Sequence, residues 1–339
     1  MFVARSADEF SHLFVEHLRG MLSPDQAGAL ILVLANSLQD EHLESALKPD
    51  VVEMFDSLRS RVRDGEVAIT DDDLTVFNAL QQTGIDAISR WQTAATGCWE
   101  IVFNPVRALR PSRASTEVFN DIFRPFDDGG FNFNKPFLRA EILWQGPWRQ
   151  KQLRVLYNKF PFAPYHLIIV PDAQSRLPQC LGSEYHQLIW QLVEAQQTVL
   201  PGFAVGYNSI GACASVNQLH FQSFVRPEPL PIEQLRWRHN GGSDDYPMAC
   251  TVFDSMQDSQ VLIDAYHANR QPYNLLYRPG RCYVIPRIAQ GSETVAPRVR
   301  GAGWIEECGV FNVSDKTELQ SLTATELDDC LHSLSVVVT

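Results

Sequence analysis

Hydrophobic and polar positions alternate with two different periods along this chain, and the change of period divides it. Up to about residue 90 the apolar positions recur every three or four residues, as on one face of a helix. Ser6-Ala7-Asp8-Glu9 has the reciprocal pattern of a helix start, and Phe10, Leu13, Phe14 and Leu18 follow at helical spacing. Ser23-Pro24-Asp25-Gln26 is a second start signal, and its continuation, Ala29 to Leu38, is apolar on most faces, which predicts a buried helix. Thr70-Asp71-Asp72-Asp73 precedes a third stripe through Leu74, Phe77, Leu80, Ile85 and Ile88. Three aspartates there neutralise a helix N-terminus, and a metal is not expected.

From Trp99 the period shortens. Trp99 to Phe103, Phe131 to Lys135, Leu153 to Tyr157, Leu167 to Val170 and Asn217 to Phe224 read as strands, and Ser183 to Leu200 as a helix. A short echo links two stretches. Tyr157-Asn158 leads through a turn to His166 and on to Pro171, and Tyr273-Asn274 leads through Arg278-Pro279-Gly280 to Tyr283-Val284-Ile285-Pro286. The echo predicts two related sheet halves. The fold class expected is therefore α+β, with a helical region over 1–95, a first sheet half over 96–235 and a second, degenerate half over 236–339.

Composition narrows the partners. The 339 residues include 28 Lys plus Arg against 40 Asp plus Glu, a net charge of −12. Such a chain repels nucleic-acid backbones and anionic membranes, while a local basic pocket for a small anion stays possible in principle. The apolar run Ala27 to Ala35 is too short to cross a bilayer, and the start of the chain is not a secretory signal. Seven scattered cysteines without a Cys-x-x-Cys pair indicate neither a zinc knot nor a disulfide framework. Reduced thiols in the cytoplasm are expected.

The chemistry concentrates in Gly206 to Gln222. Small residues with two glycines, Gly206 and Gly211, allow backbone to approach a ligand closely. Beyond them Gln218, His220 and Gln222 alternate with Leu219 and Phe221. On a strand these three polar groups share one face over about 13 Å, so an imidazole is flanked by two amides. A single His on a strand is by itself more often a packing or surface residue than a catalyst.

Asn217-Gln218-Leu219-His220-Phe221-Gln222 resembles the His-x-His-x-Gln signature of the transferase branches of the histidine-triad superfamily. Arg124-Pro125-Phe126-Asp127, Phe131 to Lys135, Gly206 to Ala212, the strand pair ending at Pro171 and the stretch Trp304 to Gly309 are similar to segments of the GDP-L-galactose/GDP-D-glucose phosphorylase family. Order and spacing agree over roughly residues 100–315. The resemblance implies a histidine-triad-like fold of two related antiparallel-sheet halves behind a helical N-terminal region. It implies a phosphorylase that cleaves a nucleoside diphosphate sugar with inorganic phosphate through a nucleotidyl-histidine on His220, without a metal or other cofactor.

Under that resemblance Gln222 stands where hydrolytic members have a third His. An amide can donate to a phosphate oxygen but exchanges protons poorly, which favours transfer to phosphate over loss to water. Asn158 matches the ribose-binding position, eight residues before the turn's His166, which is expected to be structural. Asn208 and Ser215 are placed at phosphate oxygens, and Ser209, with Lys159 beside Asn158, at the substrate. Lys135 and Arg124 are the candidate countercharges. The family has His where this chain has Gln218, a supporting member of the catalytic set. Homodimerisation is allowed for. Two competing readings share the residues: another histidine-triad transferase or hydrolase, for example on a diadenosine polyphosphate, and a catalytically silent nucleotide-binding scaffold. The first rests on the shared fold. Gln218 keeps the second alive, and the intact His220 and Gln222 oppose it.

Overall fold

The computed structural model describes residues 2–67, 69–110, 119 and 121–336. Four helices come first: α1 (Ala7–Met21), α2 (Ala27–Ser37), α3 (Glu41–Arg63) and α4 (Asp71–Thr83). Ser6 caps α1 by accepting from the Glu9 N–H, as the sequence pattern predicts. Every residue of α2 except Gly28 is buried, because α1, α3, α4 and the short α5 (Pro105–Ala108) pack around it. Helix α3 escapes the sequence reading. Asp40 caps it, and Leu43, Leu47, Val51, Phe55 and Leu58 form its buried stripe, while Pro49 sits on its exposed side.

Two sheets follow. A hairpin of β1 (Gln92–Thr96) and β2 (Trp99–Phe103) is joined in parallel by β11 (Val310–Val313), more than two hundred residues later. The boundary expected after residue 95 thus falls within β1. The main sheet contains β3 (Ile142–Trp148), β4 (Lys151–Tyr157), β5 (Leu167–Pro171), β6 (Phe203–Asn208), β7 (Phe221–Val225), β8 (Thr251–Phe253), β9 (Tyr273–Arg278) and β10 (Arg281–Pro286). Its order is β3-β4-β5-β7-β6-β9-β10-β8, and all its pairings are antiparallel.

Strands β6 and β9 are neighbours inside the sheet, with Val205 opposite Tyr277 and Asn208 opposite Asn274. Helix α6 (Ser183–Gln196) leads into β6 and β7, and helix α7 (Met256–Ala268) leads into β9 and β10, so the two halves correspond across this seam. The echo in the sequence aligns different strands. It sets the β4–β5 hairpin against β9–β10, whereas connectivity and sheet order set β6–β7 against β9–β10.

The sheet has two unlike faces. Leu153, Val155, Ile169, Phe221, Val205 and Leu275 point to the core shared with α6 and the N-terminal helices. The opposite face carries Ile168 and Val170 at one end and Phe224, Leu276 and Ile285 at the other, in two smaller clusters. Between these clusters lies a buried polar strip: His166, His220, Asn208 and Asn274, with Gln222 half-buried. Period-two alternation places these side chains together.

Two expected strands change. Phe131 to Lys135 is a turn, because Asp127 Oδ1 accepts from Gly129 N at 2.8 Å and Asn132 Oδ1 from Asn134 N at 3.1 Å. Such local side-chain bonds compete with a sheet ladder. The strand expected from Asn217 begins only at Phe221. Before it, Leu219 N donates to Leu177 O, and the Gln179 side chain takes the bonding groups of His220.

Candidate active site

His220 is 4 % exposed and held on three sides. Its backbone N–H donates to Gln179 Oε1 at 2.8 Å, and Gln179 Nε2 donates to the carbonyls of His220 and Asn208 at 3.2 and 2.8 Å. The ring Nδ1 lies 2.7 Å from the Gln218 carbonyl, which can only accept, so Nδ1 carries the proton. Nε2 is then left with its lone pair. Burial pushes the ring's pKa down to about 4, the Gln218 carbonyl opposing, so the imidazole is neutral at pH 7. A neutral, tautomer-fixed imidazole with one free lone pair is the state a nitrogen nucleophile needs.

Gln218 itself faces the protein. Its Oε1 accepts from Phe133 N at 2.7 Å and its Nε2 donates to Ala173 O at 3.0 Å. The side chain thereby ties the 133 turn to the segment after β5, while its backbone carbonyl serves His220. Phe133 in turn lies 5.0 Å from the His220 ring.

Gln222 belongs to a second set of contacts. Its Oε1 accepts from Trp304 Nε1 at 2.6 Å, and a side-chain hydrogen bond joins it to His166. His166 Nδ1 lies 3.4 Å from Phe162 N, and its Nε2 lies 3.3 Å from Asn158 Nδ2. Burial and then the charge of Arg107 push the His166 pKa down to about 3, so this ring stays neutral and structural. The Asn208 Oδ1 accepts from the backbone N–H of Trp304 at 2.9 Å and from Asn274 Nδ2. Asn158, His166, Gln222, Trp304, Asn208 and Asn274 therefore form one continuous array beside His220.

The helical region braces this array. Asn36 Nδ2 on α2 donates to the Asn158 carbonyl at 3.0 Å, and Gln39 Oε1 accepts from Tyr165 N at 2.6 Å. Lys159 is drawn the same way, onto Asp73 of α4 at 2.6 Å. The other expected phosphate contacts are occupied or outlying. Lys135 Nζ donates to the Asp128 carbonyl at 3.0 Å, and the Arg124 guanidinium lies 4.4 Å from the Phe119 ring centre. Ser209 Oγ accepts from Tyr273 N at 3.0 Å, and Ser215 is exposed on the loop.

Four residues outside the motif shape the site: Gln179, Trp304, Asn274 and Arg107. Arg107 Nη1 donates to Phe160 O at 3.0 Å and its guanidinium lies 5.1 Å from the Phe162 ring centre, next to His166. A signal for Trp304 was present in Gly206, where a Cβ would come within 2.3 Å of the indole. Among the described residues no group of three or more His, Cys, Asp or Glu is arranged to hold a metal ion, and no helix is long and apolar enough to cross a membrane.

Residues 100–224 match the family described as "GDPGP1-like, N-terminal domain". Human GDP-D-glucose phosphorylase 1 is 33 % identical over 134 residues, 36 % of this chain and 33 % of that protein. GDP-L-galactose phosphorylase 1 of Arabidopsis thaliana is 30 % identical over 187 residues, 46 % of this chain and 42 % of that one. The matched part is thus well under half the length of either relative. In fold, the crystal structure of yeast Ap4A phosphorylase in complex with AMP superposes with a TM-score of 0.51 at 15 % identity, over 79 % of this chain and 98 % of that one. Motif, buried imidazole and sheet architecture converge: this chain has a histidine-triad-like fold and, over residues 100–224, is similar to the GDP-hexose phosphorylases.

Proposed function

We propose that this chain is a nucleotidyltransferase that cleaves a GDP-hexose with inorganic phosphate to GDP and hexose 1-phosphate. The observation that carries the reading is the state of His220: neutral by burial, protonated at Nδ1 by its bond to the Gln218 carbonyl, and unprotonated at Nε2. In the first step Nε2 forms a bond to the α-phosphorus while the bond from that phosphorus to the bridging oxygen breaks, releasing hexose 1-phosphate. In the second, an oxygen of inorganic phosphate attacks the same phosphorus, the P–N bond breaks, and GDP leaves with the neutral imidazole restored. The Nδ1 proton stays in place, and the Gln218 carbonyl stabilises the positive charge the ring carries as the nucleotidyl adduct.

Asn158 is proposed to bind the ribose hydroxyls, Gln222 to donate to an α-phosphoryl oxygen, and Asn208 to hold the loop that follows β6. Lys135, Arg124, Ser209, Ser215 and Lys159 remain proposed substrate contacts. For the first two, a turn from their present partners towards the anion would be required. Arg107, whose charge depresses His166, is a further source of countercharge. Seven free cysteines support a reducing, cytoplasmic setting.

The test is incubation with GDP-glucose and GDP-L-galactose, with and without phosphate, followed by chromatography of the nucleotides. Phosphate-dependent GDP is expected. His220→Ala should reduce turnover by several orders of magnitude, as for other deleted nucleophiles. Full activity in that variant, or GMP as the sole product in abundant phosphate, would overturn the reading.

A further inference from the structure

Trp304 stands 82 residues beyond Gln222, yet its indole completes the site. The ring is fully buried. It stacks on Phe224 with centroids 5.1 Å apart and planes at 20°, and Phe162 closes one side at 6.0 Å. It also lies against Gly206, the residue paired with Gln222 across the β6–β7 ladder. Behind it, the fully buried Arg287 and Glu307 form an ion pair at 2.9 Å, and Arg287 also donates to the Ala302 carbonyl. Packing on both faces and an anchored backbone leave the indole N–H one direction, and that direction is Gln222 Oε1 at 2.6 Å.

An amide presents either an acceptor or a donor to its surroundings, and the two ends are nearly the same shape. With Oε1 engaged by the Trp304 indole, only the NH₂ end is left for the reaction centre. We propose that Trp304 is a positioning residue that locks Gln222 with its NH₂ towards the α-phosphoryl group, and that this lock sets the partition between phosphate and water. The inference rests on the phosphorylase reading given above. An NH₂ end donates to a phosphoryl oxygen in both steps. A carbonyl end would repel that oxygen and accept a hydrogen bond from a water molecule, aligning it on the nucleotidyl-histidine.

Trp304→Phe keeps an aromatic ring in the cradle and removes the donor. A second variant with benzothienylalanine at position 304 keeps the bicycle and loses only the N–H. One neutral hydrogen bond biases the amide by roughly 3- to 10-fold. Both variants should therefore lower the ratio of GDP to GMP by about that factor at fixed phosphate, while unfolding temperature reports whether packing survives. In a Gln222→Leu background the same replacements should leave the ratio unchanged, which a merely structural role would not predict. An unaltered ratio in the folded single variants, or an equal shift in the Gln222→Leu background, would overturn the proposal. A separate measurement needs no turnover. In protein labelled with ¹⁵N-tryptophan, the Trp304 indole N–H resonance should move upfield in Gln222→Leu, and an unmoved resonance would refute the bond. Wild type that makes no GDP would overturn the reaction and the partition, with the indole resonance still deciding how Gln222 is held.

Discussion

Gln218, which stands where the signature it resembles has its first histidine, invites a decisive pair of substitutions. In the folded protein this amide satisfies two buried backbone groups, the Phe133 N–H at 2.7 Å and the Ala173 carbonyl at 3.0 Å, and it is 1 % exposed. Gln218→Leu keeps most of the volume and strands both groups. An unsatisfied buried donor or acceptor costs about 1–3 kcal/mol, so the pair should cost roughly 2–6 kcal/mol. For a chain of this size a kcal/mol moves the midpoint by about 2 °C, which predicts a fall of roughly 4–12 °C. Gln218→His should behave differently, because a neutral imidazole offers one acceptor and one donor nitrogen, one for each of the two backbone groups. The contact that orients His220 comes from the backbone carbonyl of residue 218, which neither substitution removes. Thermal unfolding followed by tryptophan fluorescence, with GDP release measured on the same samples, tests both halves. Near-wild-type stability is expected for Gln218→His, with activity within about threefold. A stable Gln218→Leu would refute the bonding argument, and a stable but inactive Gln218→His would return the side chain to the chemistry.

His186 gives a prediction with a definite sign. Buried between Tyr277 Oη at 2.7 Å and Ser259 Oγ at 2.9 Å, it has its pKa pushed down from 6.5 to about 4, chiefly by desolvation. The unfolded chain takes up this proton below about pH 6.5 and the folded chain does not, so the ring's contribution is intact above pH 6.5 and is lost as the pH falls to 4. Urea titrations of wild type and His186→Gln should show the wild type losing about 3 kcal/mol relative to the variant over that window. A constant difference would contradict it. Gly206→Ala would set a methyl 2.3 Å from the Trp304 ring, which cannot retreat past Phe224. A cost of about 1–3 kcal/mol in denaturant stability is expected, and an unperturbed protein would show that the cradle is loose.

What the sequence discloses is local. The Ser6 cap and the small-residue stretch into His220 rest on neighbours within a few positions and are found where the pattern puts them, while α2 is buried as expected but starts at Ala27, after a turn at Pro24 and Asp25. Helix α3 was hidden because Pro49 breaks its pattern without breaking its buried face. The 131–135 segment alternates like a strand, but Asp127 and Asn132 bond to their own backbone and hold it as a turn. In the site, His220 and Gln222 were singled out by the resemblance of their segment to a known signature, not by spacing alone. The roles of Trp304 and Arg107 were not legible, since tertiary packing alone brings them to Gln222 and His166. The positive charges expected at the phosphate show the converse limit. A lysine in a sequence announces charge, yet Asp73 and the Asp128 carbonyl decide where Lys159 and Lys135 spend it.

The parallel pairing of β2 with β11 has a consequence for the order of events on the ribosome. Glu100 lies opposite Val310, so strand β2 emerges long before the strand that completes its sheet. At about 5–20 residues per second the interval is roughly 10–40 s. Throughout it Trp99 and Ile101, both fully buried at the end, lack the cluster that covers them. The nascent chain therefore carries an open, aromatic strand edge for a time that is long compared with the microseconds in which a hairpin forms. Chaperone capture during synthesis would be concentrated on that edge, and a pause in translation before residue 310 would lengthen the interval in which two nascent chains can pair with each other.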